Sequence, residues 1–416
     1  MLHKPNQDNL SNQDMTINVS KSQVHIEDMH RGIVICGNPI SPKVNQTLAS
    51  LLDPLIKKNH SLCIYDSHYP LLATELSKLI SDEQDSRQTS TDRAPSYHLL
   101  DLDNAGHSIR INPIHPDRIK SLREAHRLAE MLTQCMTVPQ VTGMYCFGYF
   151  EQAATRVLSA AIYYLVKYEP DLADLPHVFC FLIDNTDKLS LLDTMMEDVE
   201  LRQYLSVFKP AMENRDKSQL EAMIGELCVR LAYMMSIDAC WIFSGDTLPE
   251  KILNTAPGNT QRLVIASHPA QTDLRPWAYI PWFNFMVSYM TDYFTHGHQL
   301  DHAGKAVIIE GMDQLYIPVL PTAIGLARNS RTSLILNPLF KSNLQLRYGF
   351  DELGTILQPD SNKTCIKQDK KSFVQSFCDT YEGENTVTFK KKLKNNYCRI
   401  LNETRKLMKK RRKRQL

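Results

Sequence analysis

Short apolar runs alternate with a longer stretch of helical periodicity at the start of the chain. The runs Gly32 to Cys36, Ser61 to Asp66 and Tyr97 to Asp101 are β-branched or apolar, which is typical of strands. Between the first two, apolar residues recur at spacings of three and four from Thr47 to Ile56, which predicts a helix. A strand, a helix and a strand at this spacing indicate a βαβ unit and a parallel sheet.

The periodicity becomes helical from Asp117 to about Ile237, and strand-like runs then return. The later strands are predicted at Arg262 to Ser267, Lys305 to Glu310 and Arg331 to Leu336. The economical interpretation is one α/β domain that is split in sequence by an all-α insertion large enough to fold as a domain. The expected parts are a disordered N-terminus (1–30), the α/β domain (31–116 and 247–365), the all-α insertion (117–246) and a basic tail (366–416).

Length and composition indicate a large hydrophobic core and a reducing cellular environment. The chain has 416 residues, of which 43% are hydrophobic, and its ten cysteines form no CxxC pair. The first thirty residues contain no secretory signal pattern, and the most apolar run, Val157 to Val166, is shorter than the roughly 18 residues of a spanning helix. We therefore expect a soluble, cytoplasmic protein, with peripheral attachment to the inner membrane as an alternative.

The charge distribution is uneven. Residues 390–416 contain 13 Lys or Arg residues and one acidic residue, whereas the whole chain has a net charge of +1, so the body is acidic. The basic run consists of Lys409, Lys410, Arg411, Arg412, Lys413 and Arg414. Such a run binds DNA, RNA or anionic lipid by counterion release, or pairs with the acidic body of a neighbouring copy, or serves only solubility.

The segment from Val34 to Gln46 has the outline of a phosphate-binding loop, which reads GxxxxGK[ST] when it is functional. Gly37 and Lys43 occupy the expected positions, with Ser41 between them. Pro42 replaces the second glycine and removes one backbone N–H from the anion cradle, and Val44 replaces the hydroxyl that holds Mg²⁺. The alternative is an ordinary strand-loop-helix turn in which Lys43 is solvated.

A second segment, Ala306 to Leu315, has the outline of the strand that carries the metal-binding acid of such ATPases. Glu310 would be that acid, and the next position, Gly311, cannot act as a general base. Asp313 would substitute only if the end of the strand were remodelled.

In order and spacing, these fragments resemble the cytoplasmic ATPase region of TraG-type coupling proteins of bacterial conjugation and type IV secretion, especially the Bacteroidetes form. The resemblance runs from about residue 30 to 365 and is strongest at 306–333 and 342–349. It implies a RecA-like, P-loop NTPase-type sheet with an inserted all-α domain, and a hexameric motor that uses ATP and Mg²⁺ to feed DNA or protein to a membrane channel. Arg328 falls on an arginine of the family.

Several family positions carry other residues here. The P-loop glycine and hydroxyl fall on Pro42 and Val44, the metal-binding Asp-Glu pair falls on Glu310 and Gly311, and a family lysine falls near His68. A family glutamine falls on Asn343, and the family's N-terminal membrane helices are missing. Losing several charge-stabilising groups together rarely leaves useful turnover. The sequence therefore favours a pseudo-ATPase that binds nucleotide weakly or not at all.

Three functions follow from this interpretation. The preferred one is an assembly or adaptor component that works with proteins of a secretion or conjugation apparatus, as a homo-oligomer or beside an active coupling ATPase. The alternatives are a slow ATP-dependent motor that relies on Lys43, Glu310 and Arg328, and an accessory module that binds DNA through the basic tail.

Two further clusters have simpler interpretations. His296, His298 and His302 lack a framing helix, so no metal site is assigned to them. The aromatic run around Trp277 and Trp282 predicts either a contact between protomers or, as favoured here, a buried helix on the sheet.

Overall fold

The structure is a computed structural model of the 416-residue chain. It describes residues 14–19, 22–37, 40–87, 97–137, 148–247, 261–269, 276–296, 304–338, 343–344, 347–348, 356, 362–365 and 395–407.

Two groups of strands are present in this part of the chain. An antiparallel hairpin is formed by β1 (Met15–Val19) and β2 (Ser22–Ile26). The main sheet has seven strands, and all their pairings are parallel. Its members are β3 (Ile33–Cys36), β4 (Ser61–Asp66), β5 (His98–Asp101), β6 (Arg262–Ala266), β7 (Lys305–Glu310), β8 (Thr332–Asn337) and β9 (Asn362–Cys365), in the spatial order β5-β6-β4-β7-β8-β3-β9.

The three central strands β4, β7 and β8 are buried at every position, which explains their unbroken apolar runs. Alternate residues of the strands point to opposite faces. Ile33 and Ile35 of β3 pack against α1 (Pro42–Lys57) and α2 (Leu71–Arg87), whereas Val34 belongs to the core on the other face. The sheet therefore separates two apolar layers.

The second layer is built by helices of the insertion. These are α3 (Leu122–Met136), α4 (Tyr149–Tyr168), α5 (Leu175–Ile183), α6 (Lys188–Met195), α7 (Val199–Tyr204), α8 (Lys209–Glu213), α9 (Lys217–Met234) and α10 (Ile237–Phe243). The start of α3 is fixed by a capping box in which Ser121 and Glu124 satisfy each other's backbone N–H groups. The apolar faces of the insertion helices pack against the sheet face that carries Val34, and together they form one continuous core.

The aromatic run forms α11 (Pro276–His296), which packs between the sheet and the insertion. Phe283 contacts Tyr65 of β4, with 5.5 Å between ring centroids, and Trp282 stacks on Phe243 of α10 at 3.8 Å. The favoured interpretation of a buried helix on the sheet is therefore correct, although Trp277 at its first turn is 58% exposed. After β7 comes α12 (Leu320–Ala327), which leads into β8.

Two terminal segments differ from the sequence-based expectation. Met15, Ile17 and Ile26 of the hairpin are buried against α1, although this segment lies in a region expected to be disordered. A helix at 395–407 packs on the insertion, although its range lies in the expected tail. Both segments contain apolar residues at the spacing that a half-buried strand or helix requires. This periodicity explains why they pack on the rest of the protein although their composition is polar.

Candidate functional site

The loop that resembles a phosphate-binding loop begins where β3 ends, at Gly37. Gly37 is buried and has a φ of 147°, a backbone conformation that favours glycine. Its N–H donates to the carbonyl of Pro338, and the amide of Asn337 donates to the carbonyls of Ile35 (2.6 Å) and Gly37 (3.1 Å). The end of β8 therefore fixes the start of the loop. Residues 38 and 39 and the side chain of Lys43 lie outside the described part.

The helix after the loop begins at Pro42. Ser41 is its N-cap in an extended conformation and makes no side-chain capping bond, and proline occupies the first helical position, where its fixed φ fits. The N-terminus of α1 consequently lacks one of the N–H groups that would face an anion there. The side chain of Val44 is 1% exposed and packs in the core with Leu48, so this position points into the apolar layer.

Glu310 ends β7, and its side chain is fully buried. The atom Oε2 accepts hydrogen bonds from the backbone N–H of Ser67 (2.7 Å), the hydroxyl of Ser67 (3.0 Å) and the backbone N–H of His68 (3.3 Å). These donors lie in the turn that follows β4, the neighbouring strand. Glu310 thus fastens the ends of two adjacent strands together.

The side chain of Glu310 also interacts with Asp66, the last residue of β4. Asp66 is also fully buried, and its Oδ2 accepts from the N–H of Ala73. Within the described residues, Oε1 of Glu310 and Oδ1 of Asp66 receive no hydrogen bond. Burial raises the pKa of both groups, and the charge of Asp66 raises the pKa of Glu310 further. Burial and mutual repulsion therefore disfavour two negative charges at this position and favour a protonated Glu310.

Gly311 follows this pair with a φ of 60°, in the left-handed region. A Cβ atom at this position would lie 2.9 Å from the hydroxyl oxygen of Ser67. Any larger residue here would be strained and would push against the serine that holds Glu310. Position 311 is therefore glycine for a steric reason, and the general base of the family pattern has no room in this arrangement.

Asp313 and Asn343 contact each other beyond Gly311. The Asn343 amide donates to Oδ2 of Asp313 (2.9 Å), and Nε of Arg347 donates to the Asp313 carbonyl (2.9 Å). Asp313 is 2% exposed. The structure thus brings Asn343 to the segment after Glu310, where it holds the backbone turn in place.

Arg328 lies at the amino ends of the parallel strands, opposite the ends that carry Gly37 and Glu310. It follows α12 and precedes β8, and its Nε is 2.9 Å from Oδ2 of Asp28, which precedes β3. Gly37 and Glu310 follow the ends of strands that run parallel to β8. Within one chain, Arg328 is therefore remote from the loop and from Glu310.

The remaining sequence-based candidates are spread over the chain. Positions 298 and 302 and the basic run 409–414 lie outside the described residues, and His296 ends α11 beside Asp292. No helix in the described ranges is long and apolar enough to cross a membrane.

Sequence reasoning missed a cluster formed by Asp101, Asp103 and His268. Their possible ligand atoms all lie within 4.8 Å of one another, at the ends of β5 and β6. The only sequence signal is that each residue follows a predicted strand, and such residues gather at one edge of a parallel sheet.

Comparison with known proteins identifies the fold. No protein-family model and no curated protein matches the chain. Among solved structures, the unbound form of the bacterial conjugative coupling protein TrwB is 13% identical, with a TM-score of 0.58 over 82% of this chain and 69% of that chain. TrwB in complex with ADP and Mg²⁺ is 13% identical, with a TM-score of 0.55 over 79% and 68% of the two chains. The chain thus shares the fold of TrwB, which confirms the expected RecA-like α/β fold.

Proposed function

We propose that this protein is a catalytically degenerate relative of conjugation and type IV secretion coupling proteins. In this role it keeps the fold and acts as an assembly or adaptor component of a transfer apparatus. The likeness to TrwB supports the fold and the kind of apparatus. The observation that supports the loss of catalysis is the environment of Glu310, whose carboxyl group is buried, accepts three hydrogen bonds from its own chain and has a pKa that is raised by burial and by Asp66.

A carboxylate that holds Mg²⁺ in an ATPase must be ionised and must direct an oxygen at the metal or its water. The environment of Glu310 opposes both requirements. Burial and the charge of Asp66 raise its pKa, and its Oε2 already accepts three hydrogen bonds. To bind a metal, Glu310 would have to ionise beside Asp66 and break the link between β4 and β7.

The loop supports the same conclusion from the nucleotide side. Pro42 takes one donor from the N-terminus of α1, and Val44 directs methyl groups into the core at the position where a P-loop carries its metal-binding hydroxyl. A nucleotide would depend on Lys43 and on the remaining N–H groups, so weak or absent binding is expected.

Calorimetric titration of the purified protein with a non-hydrolysable ATP analogue and Mg²⁺ tests the proposal. We expect no binding at micromolar strength and no ATP turnover above that of the Lys43→Ala variant. The double variant Pro42→Gly with Val44→Thr restores the loop pattern but leaves Glu310 unchanged, so it should gain at most nucleotide affinity and no hydrolysis.

The slow-motor alternative makes the opposite prediction. Micromolar binding that requires Mg²⁺, together with ATP turnover that disappears in Lys43→Ala, would contradict the proposal. Binding without turnover would leave the adaptor role in place but would assign it a nucleotide ligand.

A further inference from the structure

A mixed cluster of an imidazole and two carboxylates lies at the edge of the sheet. Asp101 is the last residue of β5, Asp103 lies in the turn that follows, and His268 comes two residues after β6. In the parallel pairing of these strands, Asp101 lies opposite Ala266. Nε2 of His268 is 3.2 Å from Oδ2 of Asp101, and one ligand atom of each residue lies within 4.8 Å of the others.

The cluster is held in place from both sides. Asp101 is 3% exposed, and its Oδ1 accepts hydrogen bonds from the backbone N–H groups of Asp103 (2.9 Å) and Asn104 (3.2 Å). Tyr69 packs edge-on against the His268 ring, with 5.2 Å between centroids. Asp103 and His268 are only partly buried, so an ion could reach them from solvent.

The surroundings are negatively charged. Asp238 of α10 is partly buried and interacts with the charges of Asp103 and Asp101. Three carboxyl groups thus surround one imidazole, and a divalent cation would relieve their mutual repulsion.

We propose that Asp101, Asp103 and His268 bind one divalent transition-metal ion, of which Zn²⁺ is the type, and that this ion ties the edge strand β5 to β6. A triangle with no side above 4.8 Å has a point within about 2.8 Å of all three corners, so small side-chain rotations reach the 2.0–2.2 Å of Zn–N and Zn–O bonds. The imidazole favours Zn²⁺, Cu²⁺ or Ni²⁺ over Mg²⁺ and Ca²⁺, which prefer oxygen ligands.

Metal binding has a distinctive signature because His268 must become neutral to act as a ligand. Bound metal should therefore displace protons from the site, and the Zn²⁺ affinity should weaken as pH falls. The site shares no residue with the Gly37 loop or Glu310, so it does not depend on the proposed adaptor role.

Calorimetry on the full chain, after removal of metals with a chelator, tests the proposal with ZnCl₂, MnCl₂ and MgCl₂ in two buffers of different ionisation enthalpy. We expect one Zn²⁺ per chain, proton release, a higher melting temperature with Zn²⁺, and no comparable binding of Mg²⁺. His268→Gln and Asp103→Asn should each weaken Zn²⁺ at least tenfold, while circular dichroism checks their folding.

Two matched variants act as controls. His115→Gln removes an exposed histidine that is paired with a single carboxylate, Asp117, at 3.5 Å. Cys398→Ser removes an exposed thiol that could bind Zn²⁺ by itself. Unchanged Zn²⁺ affinity in His268→Gln and Asp103→Asn, or a loss confined to the control variants, would overturn the proposal, as would stronger binding of Mg²⁺ than of Zn²⁺.

Discussion

Glu310 shows how one side chain can keep its place in a sheet while its chemistry changes. A carboxylate at the end of a buried strand is the usual position for a metal ligand in this fold class. Here Oε2 of the carboxyl group instead accepts hydrogen bonds from two backbone N–H groups of the turn after β4, and burial beside Asp66 raises its pKa. Gly311 completes the arrangement, because any Cβ there would press on Ser67. The three residues act as one structural unit.

The raised pKa of Glu310 makes a testable contribution to stability. The folded-state pKa is raised from 4.5 to about 8, so the folded protein binds this proton more tightly than the unfolded chain and loses stability as pH rises through this range. Glu310→Gln imitates the protonated acid, since its amide can donate to Asp66 and its carbonyl can accept from Ser67. We expect similar melting temperatures for the two proteins at pH 5 and a higher one for the variant at pH 9.

The control is Glu75→Gln, which changes a partly exposed carboxylate paired with Lys78 on α2 and should leave the pH profile unchanged. A Glu310→Gln profile that runs parallel to that of the unmodified protein would show that Glu310 is ionised in the folded state. That result would also remove the main support for the loss of catalysis.

The helix at 395–407 shows how a terminal element is attached. Ile400 is fully buried with Cys180 of α5 and Cys240 of α10, and the ring of His177 lies between Asp174 (2.8 Å) and Glu403 (3.2 Å). Apolar contact and a polar link thus act on the same face of the helix. The basic run at 409–414 follows this helix directly in the sequence.

Ile400→Ala should therefore destabilise the protein by about 2–4 kcal/mol, because it removes a fully buried side chain and leaves a cavity. The measurement is chemical denaturation, combined with limited proteolysis of the C-terminal segment. Lys406→Ala changes an exposed residue of the same helix and should stay within about 0.5 kcal/mol of the original protein. Equal effects of the two substitutions would show that the helix does not dock as described.

Over the whole molecule, titratable groups at the two ends of the parallel strands change the stability of the fold with pH in opposite directions. At the amino ends of the strands, burial is the main cause that lowers the pKa of His60, from 6.5 to about 4, and it also lowers the pKa of His30. A histidine whose pKa is lowered in the folded state stabilises the fold at pH values above its unfolded pKa, and this contribution is lost as pH falls through the folded pKa. His60 thus makes the fold more stable at higher pH, whereas Glu310 makes it more stable at lower pH.

Between pH 4.5 and 6.5, a rise in pH increases the stability contributed by His60 and decreases the stability contributed by Glu310. From pH 6.5 to about 8, only the decrease from Glu310 remains of these two effects. We expect the melting temperature to vary little in the first interval and to fall in the second. His60→Phe should reduce the loss of stability on the acid side, whereas His115→Phe, which alters an exposed ring, should not. Acid sensitivity that is the same in both variants would argue against His60 as its source.

The sequence by itself determined most strands of the main sheet, the helical insertion and their order, but not the hairpin, β9 or the helix at 395–407. The strands expected at Ser61 to Asp66 and Lys305 to Glu310 have these same bounds in the structure, and the resemblance to coupling proteins indicated the fold. These features could be inferred because periodicity records which side of a single segment is buried. The sequence also showed where Pro42, Val44 and Gly311 depart from an ATPase pattern, which is a matter of residue type at a given position.

Only the tertiary structure decided which of these residues meet. Glu310 reaches Ser67 and Asp66 across the β4–β7 pairing, and Asp101 reaches His268 across the β5–β6 pairing. The tertiary structure also places Arg328 at the amino ends of the strands, beside Asp28. The physical reason is that strand order and register are set by the packing of all layers at once, and a local pattern carries no information about the partner across a long stretch of chain.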